Sequence, residues 1–199
     1  HVKAGDHIFL SQRGSAGVYE VIRQFWNTKP GFTLSSIMLN ELQFLLAYTG
    51  LAKKAITSSL PYGRSPRLQH LLRDKLIETE IWTIHTIILR YMAGGTGVPF
   101  LPTRSIVGSS IGSELTPEVY TETEAFFGDG TKIGLVSALR PDVAIIHGLA
   151  ADAAGNTILP PDGTADCWGA RGSSRSTIVS VERIVSTETI RQYSSLVSI

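Results

Sequence analysis

Glu78 and Glu80 stand two residues apart in Leu76–Trp82 (LIETEIW), so on an extended strand both carboxylates project from one face. Two carboxyls in that arrangement are suited to acid–base work, and a solvated strand face presents them equally well; the solvated face is the default reading. Asp142 and His147 bracket the apolar run Val143–His147 (VAIIH), with Asp152 and Gly155-Asn156 just beyond it. A histidine at the carboxyl end of a strand is placed to take a proton, although a hydrogen-bonded structural histidine is the commoner outcome. No nucleophile elbow accompanies it, so a serine triad is not indicated. Gly14-Ser15-Ala16-Gly17 follows a strand and opens a helix, where backbone N–H groups can hold a phosphate or a developing oxyanion. Neither GxGxxG nor a Walker sequence is present, and a plain βα turn explains these glycines as well. Cys167 has no adjacent histidine or lysine to activate it. His70 and His85 fall on predicted helices without ligand-spaced partners, which argues against a metal.

The elements that must position these residues follow from periodicity. His7–Ser11 and Phe32–Leu39 read as strands, and Lys54–Ser58, Leu76–Trp82, Val143–His147 and Ser176–Val181 read likewise. Helical spacing marks Val18–Trp26, Glu41–Tyr48, Ser65–Asp74 and Ile84–Met92, the last ending at Gly94-Gly95. Ser186–Tyr193 reads as a closing helix capped by Ser186 or Thr187, and Gln12–Gly17 as a turn. Gly108 to Gly130 is rich in Gly, Ser, Thr and Glu and reads as loop. Strands alternating with helices of about ten residues predict an α/β fold with an open, mostly parallel sheet flanked by helices, residues 1–199 forming one domain.

Composition bounds the function classes. Lys and Arg total 18 against 17 Asp and Glu, with no basic stripe interleaved with aromatics, so nucleic-acid binding is not expected. No apolar run reaches the roughly 18 residues of a membrane span, and one cysteine excludes an internal disulfide. A reducing compartment, and hence the cytoplasm, suits that cysteine usage.

Several segments go further together. Ala93–Ser105 (AGGTGVPFLPTRS), Arg140–His147 (RPDVAIIH), Ala151-Asp152 with Gly155-Asn156, and Val179–Val185 (VSVERIV) occur in one order. With Glu78–Trp82 in register, they resemble the α-type subunit of family I coenzyme A transferases, nearest the glutaconate CoA-transferase branch. The resemblance implies an acyl-CoA enzyme built from two similarly folded halves, handling coenzyme A as substrate together with a small carboxylic acid. It implies a β-type partner subunit carrying the nucleophilic glutamate, so no catalytic residue is expected in this chain, and no metal. It also implies substrate-binding roles for Gln12, Arg13, Gly14, Ser15 and Gly17 in the first turn, and for Arg104, Gly108, Ser109 and Ser110. One departure stands out: Ser11-Gln12-Arg13 replaces the family's glycine-rich turn, so Arg13 supplies a cation and Gln12 a donor where bare backbone is usual. That departure keeps open a hydrolase or decarboxylase on the same scaffold, in which Glu80 or His85 would carry the acid–base role. A non-catalytic ligand-binding module is the third reading.

Overall fold

In the computed structural model, which describes residues 1–61, 65–128, 130–161, 163–193 and 199, strands and helices alternate along the chain. In order they are β1 (His7–Leu10), α1 (Ser15–Phe25), β2 (Phe32–Ser35), α2 (Leu45–Tyr48), β3 (Ala52–Thr57), α3 (Pro66–Arg73), β4 (Glu78–Ile81) and α4 (Ile84–Thr96). There follow β5 (Phe100–Thr103), α5 (Ser110–Glu114), β6 (Tyr120–Glu124), β7 (Lys132–Ser137), β8 (Val143–Ala151), β9 (Thr157–Ile158), α6 (Thr164–Gly172), β10 (Ser176–Ile184) and α7 (Thr187–Gln192). The main sheet runs β10-β8-β1-β2-β3-β4, every neighbouring pair parallel, with β9 turned back antiparallel on β8. A parallel sheet is covered on both faces, which is why Val143–Ile146 is apolar without alternation. Ile8, Leu10, Leu34, Val143 and Ile145 pack on one face with Val18 and Val21 of α1; Phe9, Ile56, Ala144 and Ile146 pack on the other with Ile87 and Tyr91 of α4.

Three expectations need correction. The helix from Ile84 passes straight through Gly94-Gly95 and ends at Gly97, whose φ of 79° is the left-handed cap. Gly94 and Gly95 instead let α4 lie against the Leu139 backbone and Trp168 of α6, where a Cβ would come within 2.3 Å and 2.8 Å respectively. The stretch read as loop, of which position 129 lies outside the described residues, holds α5, capped by the Ser109 side chain, and β6. With β5 and β7, β6 forms a separate antiparallel sheet in the order β5-β7-β6. The helix expected over Glu41–Tyr48 is regular only from Leu45.

His7, at the start of β1, shows how far the buried sheet face departs from water. Its Nε2 lies 2.7 Å from Ser35 Oγ, and burial, only partly opposed by Asp142, pushes its pKa down to about 4. The folded value lies below the unfolded value of about 6.5, so the neutral ring's contribution is complete above pH 6.5 and is lost as pH falls towards 4. Urea unfolding across that window is expected to lose up to about 3 kcal/mol. His7→Gln should flatten the loss between pH 6.5 and about 5.5, above the range where carboxylates titrate. An unchanged profile in the variant would remove His7 as its source.

Candidate active site

Parallel strands end together, so the connections that follow them converge at the carboxyl edge of the sheet, where α/β folds place their ligands. The segments after β1 and β2 meet the first turns of α4 and α6 there. A cavity of about 210 Å³ lies between Gln12 and Arg13, Ile37 and Met38, Ile84, and Ala165-Asp166. A second cavity of about 390 Å³ shares Gln12 and Met38 with it.

The turn after β1 is held on all sides. Ser11, buried, donates from Oγ to Asp166 Oδ2 at 2.6 Å and accepts the Arg13 N–H at 3.2 Å. Its own N–H donates to Ile145 O at 2.9 Å, continuing the pairing of β1 with β8. From the β2 side the buried Gln43 donates through Nε2 to Ser11 O (2.7 Å) and Leu10 O (3.2 Å). Gln43 is itself fixed by Asn40, the two exchanging backbone N–H to side-chain bonds at 2.9 and 3.0 Å. Such a network rigidifies what it holds, because every member left unmatched in the interior would carry a desolvation penalty.

The sequence-predicted residues divide. Gln12 and Arg13 line the cavity at the sheet edge, and Gly14 opens α1 beside it. Ser15 and Gly17 fall inside the first turn of α1 and not in a loop. Gly17 has a packing reason: a Cβ there would lie 2.2 Å from Ile145 Cγ2, so it lets α1 settle on β8. Gly108, Ser109 and Ser110 line a different cavity, about 480 Å³, together with Tyr120 and Glu122. The Gly108 N–H already donates to Glu122 Oε1 at 2.9 Å, and Ser109 Oγ caps α5 by accepting the Gly112 N–H at 3.1 Å. Ile106, buried between β5 and α5, has φ 63°, a left-handed conformation that a β-branched residue adopts only under strain. Arg104, at the head of that strained segment, is exposed and has no partner among the described residues.

Glu80 does not reach the Gln12–Arg13 cavity. Its carboxylate accepts from Arg90 Nη1 (2.5 Å) and Trp82 Nε1 (2.8 Å), and Lys54 Nζ lies 3.0 Å away. Burial would raise its pKa; Arg90, Trp82 and Lys54 outweigh burial and hold it below the usual carboxylate range. A carboxylate so engaged braces the sheet edge and is held ionised, which suits it less to donating a proton than to pairing with cations. His85 is exposed on the first turn of α4, one residue beyond the cavity-lining Ile84. His147 uses both ring nitrogens, on Ser180 Oγ and Glu182 Oε1, each at 2.9 Å. Asp152 closes the β8–β9 turn by accepting two backbone N–H groups and the Asn156 amide. Periodicity and motif spacing point to neither Asp166 nor Gln43. Asp166 lies in a stretch with no helical signal, whereas Asn40-x-x-Gln43 has the reciprocal spacing of a capping box and is open to that reading.

Comparison with known proteins bears on this geometry directly. Residues 1–197 match the family model described as coenzyme A transferase. The chain belongs to the coenzyme A transferase family. Among curated relatives, a 3-oxoadipate CoA-transferase subunit from Pseudomonas knackmussii is 27% identical over 87% of this chain and 58% of its own length. A glutaconate CoA-transferase subunit from Acidaminococcus fermentans is 27% identical over 96% of this chain and 66% of its own. This transferase-family chain thus spans between about half and two thirds of those relatives. The crystal structure of the Acidaminococcus fermentans enzyme superposes on all of it with a TM-score of 0.84 at 24% identity, covering 68% of that chain. A decarboxylase structure superposes on 94% of it, and on 72% of that chain, with a TM-score of 0.77 at 22% identity. These likenesses carry the α/β fold with its mostly parallel sheet. No helix among the described residues is long and apolar enough to cross a membrane.

Proposed function

We propose that this chain is the α-type subunit of a heteromeric CoA transferase that moves CoA between short acyl or dicarboxylic acids. The glutamate nucleophile belongs to a β-type partner, and the pair works in the cytoplasm, where its acyl-CoA substrates lie. The observation that carries this reading is the cavity at the sheet edge, which a rigid donor-bearing turn borders in a chain of the coenzyme A transferase family. A carboxylate nucleophile divides thioester exchange into covalent steps. This half contributes the walls, the Gln12 and Arg13 side chains and the backbone of the turn, and Arg13 is placed to meet the carboxylate of the acceptor acid.

The test uses the chain co-purified with the β-type chain encoded beside it, acetyl-CoA, and a panel of short mono- and dicarboxylic acids. New acyl-CoA species are expected, with borohydride trapping a glutamyl thioester on the partner. Release of free CoA with no exchange into any acid would overturn transfer. It would favour hydrolysis or decarboxylation on this scaffold, a reading supported by the side chains of Ser11-Gln12-Arg13 where relatives of the branch carry glycines.

A further inference from the structure

The peptide joining Ser11 to Gln12 is trans, so its C=O and N–H point in opposite directions. Gln43, 1% exposed, holds the Ser11 carbonyl from within the core at 2.7 Å. The Gln12 N–H of the same unit is therefore turned away from Gln43 and from the Asn40–Leu42 wall of the larger cavity, and Gln12 also borders the smaller cavity, between Arg13, Ile84 and Asp166. Its neighbours in the turn are all occupied. The Ser11 N–H donates to Ile145 O, the Arg13 N–H to Ser11 Oγ, the Gly14 N–H to Ser11 O and the Ser15 N–H to Arg13 O. The Gln12 N–H alone in this run has no acceptor among the described residues.

We infer that Gln43 is a positioning residue: by fixing the Ser11 carbonyl it presents the Gln12 backbone N–H as an oxyanion donor at the cavity mouth. This rests on the acyl-transfer reading above. When the partner's carboxylate adds to the thioester carbonyl, a C–O bond forms and the π electrons move to the carbonyl oxygen. That oxyanion accepts the Gln12 N–H; it then collapses, the C–S bond breaks, and CoA leaves as thiolate with an acyl anhydride behind. A donor that must meet charge only in the transition state is effective when it cannot reorient, and Gln43 supplies that constraint. Its rotamer is not free to relax, since Asn40 holds both its backbone N–H and its Oε1.

Gln43→Met nearly conserves volume and removes both donors to the turn. In the co-purified complex, with acetyl-CoA and an acceptor acid, kcat is expected to fall about 10- to 100-fold, less than the roughly 100- to 1,000-fold of deleting an oxyanion donor because the N–H is loosened and not removed, with KM for acetyl-CoA within about threefold. Hydrogen exchange of a peptide covering Leu10–Gly17 should quicken at least about tenfold while peptides from β8 and α4 keep their rates. Gln43→Glu should recover kcat as pH falls from 8 towards 5, because a protonated carboxyl donates and an ionised one does not. An unchanged kcat in Gln43→Met overturns the inference, as does a loss lying in KM or faster exchange in every peptide. A wild-type complex that transfers no CoA would instead overturn the proposed function, and the oxyanion role with it.

Discussion

Replacing Arg90 by methionine is expected to destabilise the fold by about 3–5 kcal/mol, several times the effect of losing an exposed ion pair. Arg90 is 3% exposed, and its guanidinium serves two elements at once. Nη1 pairs with Glu80 of β4 at 2.5 Å, while Nε and Nη2 donate to the carbonyl and hydroxyl of Ser137 at the end of β7, at 3.0 and 3.2 Å. The plane lies over the Trp82 ring at 4.4 Å. Methionine fills much of the space but leaves Glu80, whose side chain is only 12% exposed, with Lys54 and the Trp82 N–H alone. It also leaves the Ser137 carbonyl without its donor. The retained Lys54 contact places the expected value in the lower half of the range. Urea unfolding at pH 7 measures it, and Glu80→Gln combined with Arg90→Met should destabilise by clearly less than the sum of the single changes. A pH series follows the Glu80 carboxylate itself. Glu80's folded pKa is depressed, so its contribution is present above the ordinary carboxylate pKa and is lost as pH falls through the lowered value. In Arg90→Met the folded pKa moves up towards the ordinary value, so that acid-induced loss should shrink and end at higher pH. Destabilisation below about 1 kcal/mol, the level of an exposed pair, would show that solvent reaches this cluster.

What can be read from the sequence follows its strongest periodicities. The buried parallel strands through Ile8–Leu10 and Val143–Ile146 are continuous apolar runs, β2 and β3 mix apolar with polar residues around Leu34 and Ala55, and nothing in the tertiary structure overrides any of them. The elements that periodicity misses are missed for separate physical reasons. β6 carries Tyr-Thr-Glu-Thr-Glu with everything after Tyr120 exposed, so its apolar face is a single residue and its alternation resembles loop composition. α6 contains Gly169 and Gly172, which lower helix propensity but allow Phe9 of β1 and Gly95 of α4 to approach; a Cβ on Gly169 would meet the Phe9 ring at 2.7 Å. Without α6, Asp166 stays hidden, because only the helix brings it 155 positions back to Ser11. The first turn is legible, since strand–Gly–helix is a local signal. Its brace from Gln43 depends on how β2 leaves the sheet, which no local pattern reports. The family resemblance carries further than periodicity because it uses the order of many segments at once.

Gly94→Ala is expected to lower the melting temperature by about 6–12 °C, roughly 3 kcal/mol for a chain of this size. Two effects oppose each other. Gly94 is helical, so alanine gains up to about 1 kcal/mol of helix propensity. Against this, its Cβ would stand 2.3 Å from the Leu139 carbonyl oxygen and 3.2 Å from the Leu139 carbonyl carbon. Backbone cannot swing aside as a side chain does, so α4 itself must shift, and the bond from Leu139 N–H to Arg90 O (2.9 Å) shifts with it. Overpacking destabilises by about 1–3 kcal/mol and occasionally more, and a 2.3 Å contact with backbone belongs above that range, near 4 kcal/mol, so the clash prevails by roughly 3 kcal/mol. Gly95→Ala makes the contrast, because its nearest contact is the half-buried Trp168 ring edge at 2.8 Å, while the backbone it meets, Trp168 O, stands at 3.2 Å and not 2.3 Å. Calorimetry should therefore rank Gly94→Ala well below Gly95→Ala, and equal melting temperatures would sink the argument. The consequence reaches the site. α4 and α6 meet along Gly94, Gly95 and Gly172, and the first turns of the same two helices carry Ile84 and Ala165-Asp166 at the cavity. A shifted α4 moves Ile84 against Ala165 and Asp166 across that cavity.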